Sequence, residues 1–207
     1  MIERGVCMIA FGDAARREAG YALESLRRVH PGLQVVVLGD QGIKGVSTMM
    51  FNLPDMTNVQ RSRFIKTNLV ALFPYKQTLY IDADTRVNHS VLAGFKVLDD
   101  GWDVVITPSS NQGADLFWHV GEDERGRTLV EVAHQPVQLQ GGVCWFRKSQ
   151  RVWDLFAAWR DEWERWRDQD QAALVRALHR SPARVWLFGR AFNGGAAVAH
   201  QFGRARG

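Results

Sequence analysis

The stretch TLYIDADTRV, residues 78–87, decides the fold, because in it an apolar run ends at two aspartates. Asp82 and Asp84 flank Ala83, and side chains two positions apart on an extended chain point to the same side. Neighbouring carboxylates repel each other unless a cation lies between them. Mg²⁺ and Mn²⁺ bind carboxylate and phosphate oxygens together, so the pair suits a metal that holds a diphosphate. The alternative is two solvated turn residues, since Asp is common where strands end.

The residues before this stretch predict a β-α-β arrangement. Val-rich apolar runs alternate with segments of helical spacing, which is typical of a parallel sheet with helices on both faces. Ligands bind such sheets at the carboxyl ends of the strands, where Asp82 lies. The predicted elements are strands over 4–12, 33–40 and 46–53, a helix over 13–29 with Asp13 as its N-cap, and a helix over 58–73 that Pro74 ends.

The residues after this stretch predict that the sheet continues and that further helices cover it. We therefore expect one α/β domain, 1–207, with a mixed, mostly parallel central sheet. The predicted elements are strands over 77–85, 102–108, 137–147 and 183–189, helices over 149–166 and 170–180, an irregular loop over 109–135 and a Gly-rich tail. The helix 149–166 is amphipathic, and its aromatic stripe is predicted to pack in the core. The stripe consists of Trp153, Phe156, Trp159, Trp163 and Trp166.

Composition narrows the class of protein. The chain has 207 residues, of which 46% are hydrophobic, so a sizeable core is expected. Arginine carries most of the basic charge behind the net +4 and suits phosphate, although an Arg-rich genome gives the same composition. Cys7 and Cys144 lie in apolar runs, which indicates buried thiols and a reducing compartment. No apolar run is long enough to span a bilayer, so we expect a soluble, cytoplasmic protein without integral membrane association.

Four motifs together resemble the GT-A-fold glycosyltransferases, especially the family-8-like group. They are RFIKTNLVALFPYKQTLYIDADTRV (63–87), LQGGVCWFRKS (139–149), DQDQAAL (168–174) and HQFGRAR (200–206). They are similar, in order, to the family's basic helix and strand ending in DxD, its acceptor-side strand, its DQD segment and its HxxGxxK motif. The order and spacing agree over almost the whole chain. The resemblance implies a single GT-A (Rossmann-like) domain, with a nucleotide-sugar-binding half, 1–87, and an acceptor-side half, 88–207.

The resemblance also implies which residues hold the metal and the diphosphate. The implied ligands of Mn²⁺ or Mg²⁺ are Asp82, Asp84 and His200. Asp82 would in addition contact the ribose of the donor. The implied residues that neutralise the diphosphate are Arg63, Lys66 and Arg206, for which solvated surface charges are the alternative.

Further nucleotide-sugar-binding residues follow from the same resemblance. They are Ala10, Phe11, Gly12 and Asp40 around the base, Ala83 between the aspartates, Gly203 in the HxxG motif, and Gly141 and Gly142 where substrate approaches the strand. The implied catalytic residues, which would face the sugar, are Asp168, Gln169 and Asp170. The register of DQDQ is ambiguous between Asp168 and Asp170, and a helix N-cap is the structural alternative.

The implied function is metal-dependent transfer of a sugar, of the hexosyltransferase type, from a nucleotide diphosphosugar to an acceptor hydroxyl. The family implies a UDP-sugar donor and leans towards retention, while an Asp base for inversion stays open. The acceptor is open between a glycan, a protein, a small molecule and nucleic acid such as a hydroxymethylated DNA base. The loop 109–135 would contact nucleic acid through Trp118, His119, Arg125 and Arg127, or is an ordinary solvated loop.

Two other classes of protein are alternatives. The run LYIDADT also resembles the DxDxT start of haloacid-dehalogenase-like phosphatases, whose first Asp is a nucleophile. Here a β-α-β unit precedes the motif and the later acidic motif is missing, so this class is less favoured. A non-catalytic nucleotide-sugar-binding protein of the same fold is the other alternative. The retained DxD and HxxG motifs disfavour it.

Overall fold

A computed structural model gives the fold and describes residues 2–110, 112–134 and 137–205. The strands are β1 (Ile2–Ala10), β2 (Gln34–Gly39), β3 (Ser47–Met50), β4 (Tyr75–Ile81), β5 (Thr85–Val87), β6 (Val104–Pro108), β7 (Leu139–Arg147), β8 (Val185–Leu187) and β9 (Val198–His200). The helices are α1 (Asp13–Val29), α2 (Asn58–Thr67), α3 (Leu69–Leu72), α4 (Leu92–Asp99), α5 (Glu122–Glu131), α6 (Gln150–Trp166) and α7 (Asp170–Arg180).

The main sheet has seven strands in the order β3-β2-β1-β4-β7-β6-β8. β7 runs antiparallel to both of its neighbours, and the other pairs are parallel. The predicted α/β class with a mixed, mostly parallel sheet is therefore confirmed. The carboxyl ends of β1, β2 and β4 lie at the same edge as the amino end of β7, because β7 is reversed. This edge is where ligands bind in sheets of this kind.

Hydrophobic side chains cover both faces of the sheet, as continuous apolar strands require. β7 shows the alternation: Trp145 packs in the cluster on the α1 and α4 side, whereas Cys144 and Phe146 pack in the cluster on the α6 and α7 side. The Trp145 indole donates to the Val91 carbonyl oxygen at 3.2 Å, so its polar atom is satisfied in the core. Cys7 and Cys144 are buried and unpaired, as predicted.

A small second sheet joins distant parts of the chain. β5 pairs antiparallel with β9, and Thr85 lies opposite His200 in the register. The Gln201 backbone N–H also donates to the Asp84 carbonyl oxygen at 2.8 Å. The pairing therefore places the HxxG motif beside the segment that carries the two aspartates. The sequence analysis predicted a Gly-rich tail and no strand here, because β9 has only three residues, too few to show a periodicity.

The segment 58–73 forms two helices rather than the one predicted. The break is at Asn68, whose side-chain amide donates to the Phe64 carbonyl oxygen at 2.8 Å. Asparagine competes in this way with the backbone hydrogen bonds of a helix. The second helix, α3, ends before Phe73, which is extended. Pro74 follows Phe73, and proline disfavours a helical conformation in the residue before it.

The segment 109–135 is not irregular throughout, because it contains α5. Arg176 of α7 is fully buried and forms ion pairs with Glu124 of α5 and Glu162 of α6, both at 2.9 Å. The sequence prediction failed because this helix depends on a partner about 50 positions away rather than on an apolar stripe of its own. Three acidic residues in its first turn, Glu122, Asp123 and Glu124, were the available signal.

The aromatic stripe of α6 is only partly buried. Phe156, Trp159 and Trp163 lie in the core, whereas Trp153 and Trp166 are 41% and 36% exposed. Trp153 lies about a quarter turn around the helix from Trp163, and Trp166 is the last helical residue, so neither faces the sheet squarely. Within the described part of the chain, no helix combines the length and the apolar character needed to cross a bilayer.

Candidate active site

The two aspartates lie just beyond β4 rather than on it. β4 ends at Ile81, and Asp82, Ala83 and Asp84 form the turn into β5. The Asp82 backbone N–H donates to the Gly142 carbonyl oxygen at 2.7 Å, which ties this turn to the amino end of β7. The predicted alternation along a strand is therefore not what brings the carboxylates together. The turn does so, at the carboxyl edge of the sheet.

Asp82, Asp84 and His200 come together at this edge. One ligand atom from each residue lies within 4.8 Å of the others. His200 Nε2 is 3.1 Å from Asp84 Oδ1 and 3.6 Å from Asp82 Oδ2. Asp84 and His200 have side chains that are 6% and 3% exposed, and that of Asp82 is 27% exposed, so the cluster is open on the Asp82 side.

Neighbouring groups leave one oxygen of each carboxylate turned towards His200. Asp82 Oδ1 accepts from Lys66 Nζ at 3.2 Å and from the Tyr80 hydroxyl, so Oδ2 is the oxygen that faces the imidazole. Burial raises the pKa of Tyr80, and the nearby Asp82 raises it further, so the phenol stays protonated and donates. Asp84 Oδ2 accepts the Gly203 backbone N–H at 2.9 Å, which leaves Asp84 Oδ1 for the centre.

The hydrogen bond of His200 to Asn193 fixes the orientation of the imidazole. His200 Nδ1 lies 2.7 Å from Asn193 Oδ1, while Asn193 Nδ2 donates to the Gln140 carbonyl oxygen at 3.3 Å. Because Asn193 offers its oxygen to the ring, Nδ1 carries a proton, and Nε2 is the ring nitrogen on the side of the two aspartates. The ring also stacks on Phe202, with centroids 4.0 Å apart. A cation at this cluster would therefore meet His200 through Nε2.

The three residues fit a divalent cation by the chemistry of their donors. Two carboxylate oxygens and one imidazole nitrogen suit Mn²⁺, which accepts both kinds of ligand, and Mg²⁺ accepts the oxygens readily. Hydrogen bonds from outer groups orient all three side chains, as they do at metal sites in general. Burial opposes the ionised form of Asp84, but the His200 contacts prevail and lower its pKa. Asp84 is therefore a carboxylate at neutral pH.

Lys66 connects this cluster to α7. Its ammonium group lies 3.2 Å from Asp82 Oδ1 and 3.1 Å from Asp170 Oδ2, the second contact being an ion pair outside hydrogen-bond geometry. Burial lowers the pKa of Lys66, but the charges of Asp170 and Asp82 outweigh burial and raise it, so the side chain stays charged. Asp170 is buried, yet Lys66 and Arg63 hold its pKa below the usual range. The group is a charged network next to the candidate metal ligands.

The DQD segment is held by buried indoles and by Arg63. Trp163 Nε1 donates to the Asp168 carbonyl oxygen at 2.9 Å, and Trp159 Nε1 donates to that of Asp170 at 2.8 Å. Arg63 donates to the Asp168 carbonyl oxygen at 2.9 Å and to Gln169 Oε1 at 2.7 Å. Gln169 is the N-cap residue of α7 and Asp170 its first helical residue. The core tryptophans thus position the segment that was predicted to face the sugar.

Phe11, Gly12 and Asp40 meet where β1 and β2 end. The Gly12 backbone N–H donates to Asp40 Oδ2 at 3.1 Å, and Arg16 forms an ion pair with the same carboxylate. Gly12, with a φ of 85°, is the N-cap residue of α1, so the prediction of Asp13 in that role is wrong. A Cβ on Gly12 would also lie 2.4 Å from Asn58 Nδ2. Ala10 is buried at the end of β1, below this group.

Gly142 lets β7 pass close to the candidate metal ligands. A Cβ at this position would lie 2.4 Å from His200 Cε1 and 2.6 Å from Asp82 Oδ2. At Gly141 the nearest atoms to such a Cβ, Lys66 Nζ and Asp170 Oδ2, are 3.7 and 3.8 Å away, which is ordinary contact. β7 bulges here, because its pairing with β6 shifts register between Gln140 and Cys144. Bulges next to active sites commonly re-aim side chains.

These residues surround a cavity of about 460 Å³. The predicted site residues that line it are Phe11, Arg63, Lys66, Asp82, Ala83, Asp84, Gly142, Gln169, Asp170, His200 and Gly203. The wall does not include Ala10, Gly12, Asp40, Gly141 or Asp168. The side chain of Asp168 is 48% exposed and 3.5 Å from Arg63, so of the two registers the one with Asp170 at the cavity fits the structure. Arg206 lies outside the described residues.

Sequence reasoning missed several residues of the wall. Tyr80 lines the cavity and holds Asp82, and three glutamines, Gln138, Gln140 and Gln171, line it as well. Asn193, which is not part of the wall, holds His200. Tyr80 was within reach, since it lies two positions before Asp82 and alternation places it on the same side. No local pattern marks Asn193, because its role depends on the pairing of β9 with β5.

No protein-family model and no curated protein matches the sequence, whereas solved structures do match the fold. The bifunctional glycosyltransferase WbbM matches with a TM-score of 0.64 and 17% identity, over 90% of this chain and 39% of that one. Mouse xyloside xylosyltransferase 1 matches with a TM-score of 0.61 and 12% identity, over 92% of this chain and 86% of that one. The galactosyltransferase LgtC, solved with donor and acceptor sugar analogues, matches with a TM-score of 0.61 and 16% identity, over 90% of this chain and 73% of that one.

These comparisons establish the fold. The chain has the GT-A fold of glycosyltransferases, and the resemblance seen in its motifs is borne out at that level. The chain spans 39% of the length of WbbM and most of the length of the other two structures. The phosphatase alternative is not favoured, because the named structures that match are glycosyltransferases.

Proposed function

We propose that this chain is a metal-dependent glycosyltransferase that moves a sugar from a nucleotide diphosphosugar to an acceptor hydroxyl. The observation that carries the proposal is the Asp82–Asp84–His200 cluster at the carboxyl edge of a GT-A sheet, with its ligand atoms within 4.8 Å of one another. The cluster lies in the wall of a cavity that also contains two cationic side chains, Arg63 and Lys66. Carboxylates, an imidazole and nearby cations together suit a metal-bound diphosphate.

The residues of the chain would divide the work of binding the donor. Asp82, Asp84 and His200 would hold Mn²⁺ or Mg²⁺, and the Phe11, Gly12 and Asp40 group at the ends of β1 and β2 would receive the base. We propose a UDP-sugar as donor, in line with the motif resemblance. Arg206, which lies outside the described residues, is proposed to meet the diphosphate together with Lys66.

The chemistry needs charge stabilisation at both ends of the bond that breaks. When bound, the divalent ion supplies Lewis-acid stabilisation of the leaving diphosphate. Lys66 stays positively charged in its network and is suited to the same negative charge. Asp170 stays ionised and Gln169 keeps its Nε2 donors, because Arg63 occupies Oε1. Both groups are suited to the sugar side, where positive charge develops at the anomeric carbon.

We propose a carbohydrate hydroxyl as the acceptor. Trp118 lines the cavity and is 66% exposed, so it offers an aromatic face to an incoming ring. The basic residues that would contact nucleic acid are engaged elsewhere: Arg125 donates to the Leu116 carbonyl oxygen at 2.9 Å, and Arg127 pairs with Glu131 at 3.7 Å. The acidic first turn of α5 next to them repels a phosphate backbone.

The test is release of nucleoside diphosphate from a panel of nucleotide sugars in the presence of Mn²⁺. We expect slow release from one donor, stimulation by a carbohydrate acceptor, and loss of both in Asp84→Ala and His200→Ala. The anomer of the product, read by NMR, distinguishes retention from inversion. Donor binding without release, whichever acceptor is added, would support the non-catalytic alternative. A protein that shows no donor binding and no release would refute the proposal.

A further inference from the structure

Three glutamine side chains form a chain of hydrogen bonds along one wall of the cavity. Gln138 Nε2 donates to Gln171 Oε1 at 3.0 Å, and Gln171 Nε2 donates to Gln140 Oε1. Gln138 is 1% exposed, and all three residues line the cavity. We refer to Gln138, Gln171 and Gln140 as the amide chain. It crosses from the segment before β7 to α7 and back to the bulge of β7.

The direction of the amide chain is fixed at its buried end. Gln138 Oε1 accepts the backbone N–H of Phe117 at 2.7 Å, and a backbone N–H can only donate. Phe117 is fully buried, so its N–H needs this partner. Phe117 also has a φ of 55°, a left-handed conformation that its surroundings must hold in place. The amide of Gln138 therefore cannot turn over without leaving a buried donor unsatisfied.

The backbone of Gln138 is held as firmly as its side chain. Gln112 Oε1 accepts the Gln138 backbone N–H at 3.2 Å, and Gln112 Nε2 donates to the Gln138 carbonyl oxygen at 2.8 Å. The Ser109 backbone N–H donates to the same carbonyl oxygen at 2.8 Å. The starting point of the amide chain is thus anchored by the loop that carries Trp118.

This polarity passes along the amide chain to Gln140. Because Gln138 offers Nε2, Gln171 must offer Oε1 to it and Nε2 to the next residue, and Gln140 must receive with Oε1. Gln140 Nε2 then keeps two N–H donors, and within residues 2–110, 112–134 and 137–205 no partner is seen for them. Gln140 also accepts, through its carbonyl oxygen, the amide of Asn193, which holds His200. The residue that carries the free donors therefore lines the cavity and is linked through Asn193 to His200 of the candidate metal centre.

We propose that Gln138 and Gln171 are positioning residues, which hold the amide of Gln140 so that its N–H groups donate to an oxygen of the bound nucleotide sugar. The inference rests on the proposed function for the identity of the ligand, but the polarity of the amide chain does not depend on it. A glutamine amide that can rotate presents donor or acceptor at random. The amide chain removes that freedom and so lowers the cost of ordering Gln140 when substrate binds.

Two substitutions at Gln171 test the polarity. Gln171→Glu keeps the acceptor for Gln138 but cannot donate to Gln140 Oε1, so the amide of Gln140 turns its N–H groups away from the cavity. Gln171→Met is uncharged and of similar length, and leaves the amide of Gln140 free to rotate. We expect both variants to raise the KM for the donor in Mn²⁺-dependent donor hydrolysis, by about tenfold for one lost hydrogen bond, with a smaller change in kcat.

The control for a merely structural role is a double-mutant cycle with Gln140→Met. If Gln171 acts through Gln140, neither substitution at Gln171 raises KM further once the amide at 140 is gone. An equal effect in both backgrounds would overturn the proposal, because it would show that Gln171 acts on the fold or directly on substrate. Gln171→Met is the control for the negative charge that Gln171→Glu introduces. Its effect on KM should likewise disappear when it is combined with Gln140→Met.

A second readout does not require enzyme activity. In ¹⁵N NMR spectra, the side-chain NH₂ signal of Gln140, assigned by its loss in Gln140→Met, should exchange rapidly with water in the unsubstituted protein. In Gln171→Glu one proton should bond to the carboxylate, shift downfield and exchange more slowly. An unchanged signal would refute the amide chain even if donor hydrolysis is observed. The expected shift in a protein that hydrolyses no donor would leave the amide chain standing and count against the proposed function alone.

Discussion

His200 Nε2 lies 3.1 Å from Asp84 Oδ1, although 116 positions separate the two residues. The pairing of β9 with β5 brings them together, and the backbone contacts of Gln201 and Gly203 to Asp84 hold them there. The candidate centre is therefore assembled from the segment around Asp82 and Asp84, in the middle of the chain, and from His200 near its carboxyl end. Its integrity depends on groups that touch the ligands rather than on the ligands alone.

Replacing Asn193 by Leu should weaken Mn²⁺ binding without unfolding the protein. The substitution removes the oxygen that accepts from His200 Nδ1 at 2.7 Å, so the imidazole loses its fixed tautomer and orientation. Loss of such an outer hydrogen bond typically lowers metal affinity by about 10- to 100-fold, and we expect a loss of about that size here. Titration of Mn²⁺ by electron paramagnetic resonance measures it. Asn193→Asp, which keeps an accepting oxygen, is the matched control and should retain most of the affinity.

Replacing Gly142 by Ala should displace two of the candidate metal ligands, His200 and Asp82. The added methyl group would lie 2.4 Å from His200 Cε1 and 2.6 Å from Asp82 Oδ2, distances at which something must move. We expect Mn²⁺ affinity to fall by at least about tenfold, by analogy with other disturbances of ligand orientation. Gly141→Ala is the control for metal binding, because its Cβ would meet only contacts of 3.7 Å or more. Equal Mn²⁺ affinity in the two variants would contradict the described approach of β7 to the cluster.

Replacing Lys66 by Met should cost both stability and donor binding. The change leaves the buried Asp170 and the neighbouring Asp82 without their shared cation, and breaking one side of a buried ion pair typically costs about 3–5 kcal/mol. Urea unfolding measures the loss in the free energy of unfolding. The double variant Lys66→Met/Asp170→Asn should recover part of that free energy but no donor binding. A Lys66→Met protein that is as stable as the parent would show that the ion pairs of Lys66 with Asp82 and Asp170 do not stabilise the fold.

Asp103 provides a test of pH dependence away from the site. It is fully buried and forms ion pairs with Arg147 at 2.9 Å and with Arg151 at 2.7 Å. Burial raises the pKa of Asp103, but these two arginines and the Arg184 backbone N–H outweigh burial and lower the pKa to about 2. A carboxyl group whose pKa is lower in the folded state stabilises the fold at pH values above its unfolded pKa of about 3.9. That stabilisation is lost as the pH falls through the folded pKa of about 2. The linkage is worth about 2.6 kcal/mol at neutral pH.

Asp103→Asn should therefore lower the free energy of unfolding at pH 7 by about that amount or somewhat more, with turnover per folded molecule unchanged. The deficit of the variant should shrink between pH 4 and pH 2, as the parent protein takes up its proton. Urea titrations across that interval give the comparison. A deficit that stays constant with pH would show that packing, and not the charge of Asp103, accounts for the loss.

The sequence predicted the sheet well because the strands are continuous apolar runs whose partners share the same period. It also indicated the edge at which Asp82 and Asp84 lie, since that follows from the strand pattern, whereas a site role for the DQD segment came only from the family resemblance. It could not choose between Asp168 and Asp170, because the choice depends on the contact of Asp170 with Lys66 across the sheet edge. For the same reason α5 was missed: its stability comes from Arg176, which no local pattern around α5 reveals.

The most direct test of the metal centre is a crystal structure grown with Mn²⁺ and UDP, with anomalous diffraction recorded to locate manganese. We expect one strong anomalous peak in contact with Asp82, Asp84 and His200 Nε2, with the diphosphate on its open side near Lys66. We also expect that the peak disappears in crystals of His200→Ala. Manganese bound elsewhere, or UDP bound at this edge with no metal beside the three residues, would contradict the assignment of the cluster as the centre that holds the donor.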